Sequence, residues 1–489
     1  MKYSLFWLFA LSLFASTACA QSSDGYTGAV AGRIERVEQN LGARYMIKGQ
    51  APYTLKERMA HYHINGLSIA VIRDYHIDWA KGYGWADSAE KRPVTIHTLF
   101  QAASISKSLN AVGVLLLAQE GKLDPYTDIN HYLTSWKFPY DSLSKGKKIT
   151  VAHLLSHTGG LTIHGFPGYS KGDTLPTLEE VLDGKRPANT GAVRSMYEPG
   201  LKSEYSGGGT TITQVIVQDI THEPYDRYMK AKVLDPMGMR ESFYTQPAPA
   251  AKTSLLATAY AVDGKEVNGK YHVYPEEAPA GLWTNPGDLA RYIIETQLSY
   301  EGKSAKVLSQ QYTKLRLTPY VDQSAALGVF ISKFGDASYF GHNGANEGFR
   351  CEYFGSLEGG NGVVVMVNSD NGAILSEVVN SVATVYGWKD FYKPEYKTFL
   401  DRTPGQLQPF EGKYKFRGPR DMAIQFRADA GHLVGKQLWD GQESAFYPES
   451  DSSFFSMDWG FGIRFAKAAD GRVAYVVAFE RDYFDKVKP

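Results

Sequence analysis

An α/β domain followed by a small all-β domain is the fold class this sequence predicts, on three observations. Two strand-like runs, Gly66-Leu-Ser-Ile-Ala-Val-Ile-Arg73 and Ile77–Gly84, precede a long apolar helical segment that opens at Ser104. A late apolar run, Gly362-Val-Val-Val-Met-Val-Asn368, reads as the central strand of a sheet. From Phe410 onward the chain changes to short alternating segments separated by turn residues.

The chain begins with Met1-Lys-Tyr-Ser4, an apolar run over 5–15 and Ala18-Cys-Ala20. A charged start, an apolar stretch and a small-residue site predict a secretory signal over residues 1–20, cleaved before Gln21, and hence a periplasmic or secreted protein. The run is too short to span a bilayer, so no transmembrane span is expected. Cys19 offers a second reading, a lipid-anchored N-terminus, but Ser16 fits that poorly. After cleavage Cys351 stands alone and no internal disulfide can form. Lys+Arg and Asp+Glu are equal at 52 each, so there is no basic surplus for nucleic acid. His61-Tyr-His63 lacks companions at metal spacing and reads as two structural histidines. No metal or cofactor is expected.

Within Phe100-Gln-Ala-Ala-Ser-Ile-Ser-Lys-Ser108, Ser104 and Lys107 stand three apart at a helix start. Positions i and i+3 share a helix face, so the lysine can reach a serine hydroxyl that needs a proton acceptor. Ser142/Lys145 and Ser144/Lys147 repeat the spacing, but in a polar stretch with a central glycine that reads as a loop. Leu109–Glu120, in contrast, is apolar nearly all round and therefore buried, and Gly121 and Pro125 end it. An unpaired ammonium entering such a helix is costly. Either it has a task there or it snorkels to the surface from the first turn.

Four further segments accompany it: Leu154-Leu-Ser-His157-Thr-Gly-Gly-Leu161, Pro199-Gly-Leu-Lys-Ser-Glu-Tyr205-Ser-Gly207, Gly281-Leu-Trp283-Thr-Asn-Pro-Gly-Asp288 and Gly341-His342-Asn-Gly344-Ala-Asn346-Glu-Gly348. In order and spacing, roughly residues 30–395 resemble the serine β-lactamase and penicillin-binding-protein-like family, in the branch of class C β-lactamases, D-peptidases, D-aminopeptidases and related esterases. The resemblance implies a β-lactamase-like fold, an antiparallel sheet flanked by helices plus a helical subdomain, over residues 21–398. It implies that Ser104 is the acylated nucleophile, Lys107 its activating partner and Tyr205 a proton carrier, with His342 leading the triplet on the strand that edges the site. The backbone N–H groups of Ser104 and Ala345 would form the oxyanion hole. Gly207, Asn343, Gly344 and Asn346 are the expected substrate-binding positions. Relatives with β-lactamase activity usually carry Asn where this chain has Gly207 and Lys where it has His342. Both departures count against efficient β-lactam turnover and leave acyl transfer intact.

Other signals read as structural. Gly168-Tyr-Ser170-Lys-Gly172 fits a nucleophile elbow, but Pro167 and Pro176 flank it where a strand and a helix are needed. His157 follows a short apolar helix over 151–156, and Trp283 and Asp288 read as anchors that hold a helix in place.

Around 393–404 the texture changes, and the segments Gly412–Arg417, Met422–Arg427, Ser453–Met457 and Val473–Phe479 predict a small barrel or sandwich. The stretch 404–489 resembles the lipocalin-like tail of some relatives. Two functions follow from these readings. One is an exported serine hydrolase acting through an acyl-enzyme on amide or ester bonds of D-amino-acid peptides, esters or β-lactam-related compounds. The other is a non-catalytic or slowly deacylating protein that binds penicillin or peptidoglycan. A small molecule or peptide is the expected partner in both. The sequence leaves the oligomeric state open.

Overall fold

The computed structural model describes residues 25–487 apart from 27 and 419; the expected signal segment and Cys19 lie outside them. Seven antiparallel strands form the main sheet: β1 (Gly66–Arg73), β2 (His76–Asp87), β3 (Arg92–Pro93), β4 (Phe330–Phe334), β5 (Ala337–Asn346), β6 (Phe349–Ser356) and β7 (Gly362–Val367). Their order is β3-β2-β1-β7-β6-β5-β4. The late run β7 lies between β1 and β6 and is buried throughout, as its unbroken Val/Met composition requires. On one face of the sheet pack helices α1 (Gly28–Glu38) and α7 (Ala373–Val385), with α2 (Leu55–His61) beside them. The other face meets a larger core built around α3 (Ser106–Gln119), α4 (Gly207–Thr221), α5 (Glu277–Ala280) and α6 (Pro286–Tyr300).

Helix α3 is buried from Ser106 to Ala118. Gly113 lets it approach a neighbour closely, since an added Cβ would lie 2.6 Å from Met229 Sδ. The regular helix begins two residues later than the sequence suggests. Ser104 lies in a preceding 3₁₀ turn, Ala103–Ile105.

The C-terminal strands close into an eight-stranded barrel: β8 (Gly412–Phe416), β9 (Ala423–Asp429), β10 (His432–Gln437), β11 (Glu443–Pro448), β12 (Ser453–Phe455), β13 (Gly462–Lys467), β14 (Val473–Ala478) and β15 (Asp482–Lys486). Closure comes from β8 pairing with β15, Phe416 opposite Phe484. The interior is filled by side chains rather than left open. Phe426 alone meets the rings of Tyr414, Phe446 and Phe465, as a barrel of this size permits.

A buried ion cluster joins the barrel to the first domain. Arg58 on α2 makes a two-pronged pair with Glu377 on α7, at 2.7 and 2.6 Å, and reaches Asp458 of the barrel at 2.8 Å. Tyr62 donates to Glu377 at 2.7 Å, and His61 Nε2 lies 3.0 Å from Asp458. His61 therefore has a carboxylate partner. Among the described residues no group of three or more His, Cys, Asp or Glu could hold a metal, and no helix is long and apolar enough to cross a membrane.

Candidate active site

The turn that carries Ser104 is held from several sides. Ala103 adopts φ 48°, a left-handed conformation that costs a non-glycine residue about 1–3 kcal/mol and survives only where the surroundings enforce it. Ser106 Oγ donates to Ala103 O at 2.5 Å and accepts from Leu282 N at 3.0 Å, while Ala102 N donates to Leu282 O at 2.8 Å. These bonds fix Ser104, half-buried, at the N-terminal end of α3, where unpaired N–H groups and the helix dipole favour negative charge.

Lys107 is 3% exposed. Its Nζ lies 3.1 Å from Ser104 Oγ and donates to the Pro279 carbonyl at 2.8 Å. Among the described residues no carboxylate pairs with it, and burial brings its pKa down to about 7. It does not snorkel.

Tyr205 precedes α4, whose first turn is capped by Ser206 Oγ accepting from Gly209 N at 2.9 Å. Its ring lies 4.3 Å from that of His157 and 6.2 Å from that of His342, and is stacked on Phe330 at 6.5 Å. Lys107 Nζ stands 4.9 Å from the ring centre. Among the described residues the buried Tyr205 hydroxyl has no partner at full hydrogen-bond geometry. Burial pushes it well above the ordinary phenol range, and the neighbouring Ser104 hydroxyl is what opposes that shift.

His342 on β5 donates from Nδ1 to Asn343 O at 2.6 Å, which leaves Nε2 as a buried acceptor with no partner among the described residues. Burial, and then the charge of Lys107, hold this imidazole neutral with a pKa of about 3. His157, which the sequence marks as structural, joins the site: its Nδ1 accepts from Ser206 N at 3.2 Å while its ring packs on Tyr205. Burial keeps it neutral as well.

Strand pairing settles where the β5 backbone points. Two-residue turns at Gly335-Asp336 and Glu347-Gly348 make Phe334/Ala337 and Asn346/Phe349 the bonded pairs, and bonding alternates from there. Residues 337, 339 and 341 thus turn their N–H and C=O groups to β4. Residues 343 and 345 turn theirs off an edge that β4 no longer covers. Gly344 lets this strand pass the turn that carries Ser104, because a Cβ there would lie 2.3 Å from Ala102 O and 2.6 Å from Cys351 Sγ.

The expected substrate-binding positions divide. Asn343 is exposed beside the open edge. Asn346 is not available as a donor: its amide donates to Gln101 Oε1 at 2.8 Å and to Ala280 O at 3.1 Å, bracing β5 against α5. Gly207 is buried, and a Cβ there would meet Phe166 at 2.9 Å, so an aromatic ring fills the space next to it. Ser170 lies in a loop with neither strand before it nor helix after it. Asp288 accepts from Ser242 N and Oγ, and Trp283 is wholly buried. Sequence reasoning missed His157, Phe166, Phe330 and the Pro279 carbonyl. Only the Ser-His-Thr-Gly-Gly run around His157 gave any signal.

The model of the Beta-lactamase family matches residues 53–377, well over half the chain. The chain belongs to the beta-lactamase family. It is a β-lactamase and penicillin-binding-protein-like family member with a closed eight-stranded barrel appended. Protein flp of Staphylococcus aureus (strain N315) is 24% identical over 323 residues, which cover 63% of this chain and 60% of that one. The chain thus spans about 60% of the length of that curated relative. Penicillin-binding protein 4* of Bacillus subtilis is 25% identical over 327 residues, 66% of this chain and 64% of that one. Among solved structures, the octameric penicillin-binding protein homologue from Pyrococcus abyssi superposes with a TM-score of 0.61 at 22% identity, over 88% of this chain and 98% of that one. D-amino acid amidase from Ochrobactrum anthropi gives 0.56 at 20% identity, over 73% and 98%. These last two are likenesses of fold.

Proposed function

We propose that this family member is an exported serine hydrolase that cleaves amide or ester bonds through an acyl-enzyme on Ser104. The observation that carries the reading is a buried Lys107 with no carboxylate partner, 3.1 Å from Ser104 Oγ and held to a pKa of about 7. A neutral amine that donates to Pro279 O keeps its lone pair for the Ser104 O–H. In this mechanism Lys107 takes the Ser104 proton as Oγ attacks the scissile carbonyl. The Tyr205 hydroxyl, beside Ser104 and unpartnered, passes the proton on to the leaving group. The oxyanion is received by the N–H groups of Ser104 and Ala345, each donor contributing about 3–4 kcal/mol. Neutral His342 offers Nε2 as an acceptor for an N–H or O–H of the leaving group. Water then releases the acyl group by the reverse sequence.

The substrate class is D-amino-acid amides and peptides, or small esters. The likeness to D-amino acid amidase supports the amide choice. Gly207, packed against Phe166, argues against efficient β-lactam turnover, because no side-chain amide stands at that position. Hydrolysis of D-amino-acid amides, p-nitrophenyl esters and a chromogenic cephalosporin, with Ser104→Ala as the blank, tests the reading. Turnover of one class that vanishes in the variant supports it. Stoichiometric acylation without turnover would replace it with the slowly deacylating binding protein.

A further inference from the structure

His157 stands where the short helix Val151–Leu155 ends. Thr158 N donates to His153 O at 2.9 Å and His157 N to Leu154 O at 3.4 Å, the pair of bonds that closes a helix through a left-handed residue. That residue is His157 itself, at φ 60°. Glycine is the usual occupant of such a position, because a Cβ makes the conformation costly. This chain places a histidine there and buries it, 5% exposed. A side chain kept against that cost calls for a task of its own.

The contacts of His157 converge on Tyr205. Its carbonyl accepts from Glu204 N at 2.7 Å and its Nδ1 from Ser206 N at 3.2 Å, so the residues on both sides of Tyr205 are tied to it. Between these two bonds the rings meet, with centroids 4.3 Å apart and planes 38° from each other. Phe330 and His342 stand farther from the Tyr205 ring, at 6.5 and 6.2 Å. Exposed His164 donates from Nδ1 to the Tyr205 carbonyl at 2.5 Å, a bond that holds the backbone and not the ring. Burial keeps the His157 imidazole neutral, which leaves Nδ1 its lone pair for the Ser206 N–H. Among the described residues the Tyr205 hydroxyl has no partner at full hydrogen-bond geometry. Ring packing, more than hydrogen bonding, therefore sets where that hydroxyl stands.

We propose that His157 is a positioning residue for the acyl-transfer reaction, holding the Tyr205 ring so that its hydroxyl stays beside Ser104. The inference rests on the reading above in which Tyr205 passes the proton to the leaving group. A phenol free to swing about its side-chain torsions loses the geometry that proton transfer needs, and a misplacement of about 1 Å can cost about 10²-fold.

His157→Asn isolates this role. Asparagine tolerates a left-handed φ and offers Oδ1 to the Ser206 N–H, so the helix end and that bond are kept while the ring is removed. His157→Gly, which suits the turn equally and also lacks the ring, is the second variant. The test is a double-mutant cycle on the full chain: kcat and KM for its best amide or ester substrate in the wild type, in each His157 variant, in Tyr205→Phe and in the combinations. The His157 variants should lose about 10- to 100-fold in kcat with KM little changed. With Tyr205→Phe already present the same change should cost less than about threefold. Equal losses in both backgrounds, or no loss in either, overturn the proposal, because a purely structural His157 lowers the folded fraction alike with or without the phenol. Where Ser104 is acylated without turnover, the cycle reads the acylation rate. If a fluorophosphonate does not label Ser104 in the wild-type protein, the acyl-enzyme reading fails on its own. His157 is then judged by crystal structures of the wild type and His157→Asn: a Tyr205 ring that has swung away from Ser104 in the variant upholds the positioning role, and a ring in the same place overturns it.

Discussion

Lys107 Nζ lies 3.1 Å from Ser104 Oγ and 2.8 Å from the carbonyl oxygen of Pro279, inside a helix turn that water hardly reaches. Burial disfavours its ammonium, so its pKa falls to about 7. The amine is neutral, and able to take a proton, above that value. The rate of Ser104 labelling by a fluorophosphonate should rise with pH through about 7 and then level. Lys107→Arg stays protonated throughout and should lose about 10²- to 10⁴-fold. A wild-type rate that is flat from pH 5 to 9 would contradict the assignment.

Tyr205→Phe separates catalysis from stability. The hydroxyl it removes is buried beside Ser104 and makes no full hydrogen bond among the described residues. Its loss should leave the melting temperature unchanged or slightly raised, since an unpaired buried polar group disappears. Turnover should fall about 10²- to 10⁴-fold as proton transfer is lost. Calorimetry and kinetics on the same sample check both; a destabilised variant with normal turnover would refute the role.

Gly344→Ala probes the spacing between β5 and the turn that carries Ser104. The new methyl would meet the Ala102 carbonyl at 2.3 Å, and neither backbone can yield without moving the edge away from Ser104. Labelling should slow at least about tenfold, because a misplaced donor loses much of its transition-state contact. Labelling at the wild-type rate would show that the edge takes no part.

The interdomain cluster predicts a large, local loss of stability. Arg58→Ala leaves Glu377 and Asp458 buried with their shared cation gone, which should cost about 3–5 kcal/mol in denaturant unfolding. Asp458 is raised by burial, but His61 and Arg58 outweigh this and hold it at about 2. A depressed carboxyl contributes stability above its unfolded value near 3.8 and loses it as pH falls toward 2. Asp458→Asn should therefore flatten stability between pH 4 and 2 relative to the wild type.

Glu276 gives the opposite sign. It is fully buried, neither oxygen has a partner among the described residues, and burial raises its pKa from 4.5 to about 7. The folded state keeps the proton longer than the unfolded chain, so stability is lost as pH rises from 4.5 through 7. Glu276→Gln should remove about 3 kcal/mol of that loss between pH 4 and 8. Parallel pH dependence in both proteins would refute it.

Local spacing made part of this site legible. Ser104 and Lys107 are neighbours because a helix turn makes them so, and the apolar run behind them announced the burial that shifts the lysine. Tyr205 and His342 lie far from Ser104 in the chain and were reached only through the family resemblance. Gly207 told of a missing amide but not of Phe166 beside it. Asn346 looked available, and its commitment to Gln101 and Ala280 depends on packing between distant segments. The barrel strands showed in their alternation. Their closure rests on β8 meeting β15, a pairing that no local pattern records.

Activation of Ser104 is tested most directly by intact-mass spectrometry of the purified protein with a fluorophosphonate, beside Ser104→Ala. A single adduct on the wild-type protein, absent from a folded Ser104→Ala variant, is the predicted result. An adduct that persists in the variant, or none on well-folded wild-type protein, would contradict Ser104 as the activated nucleophile.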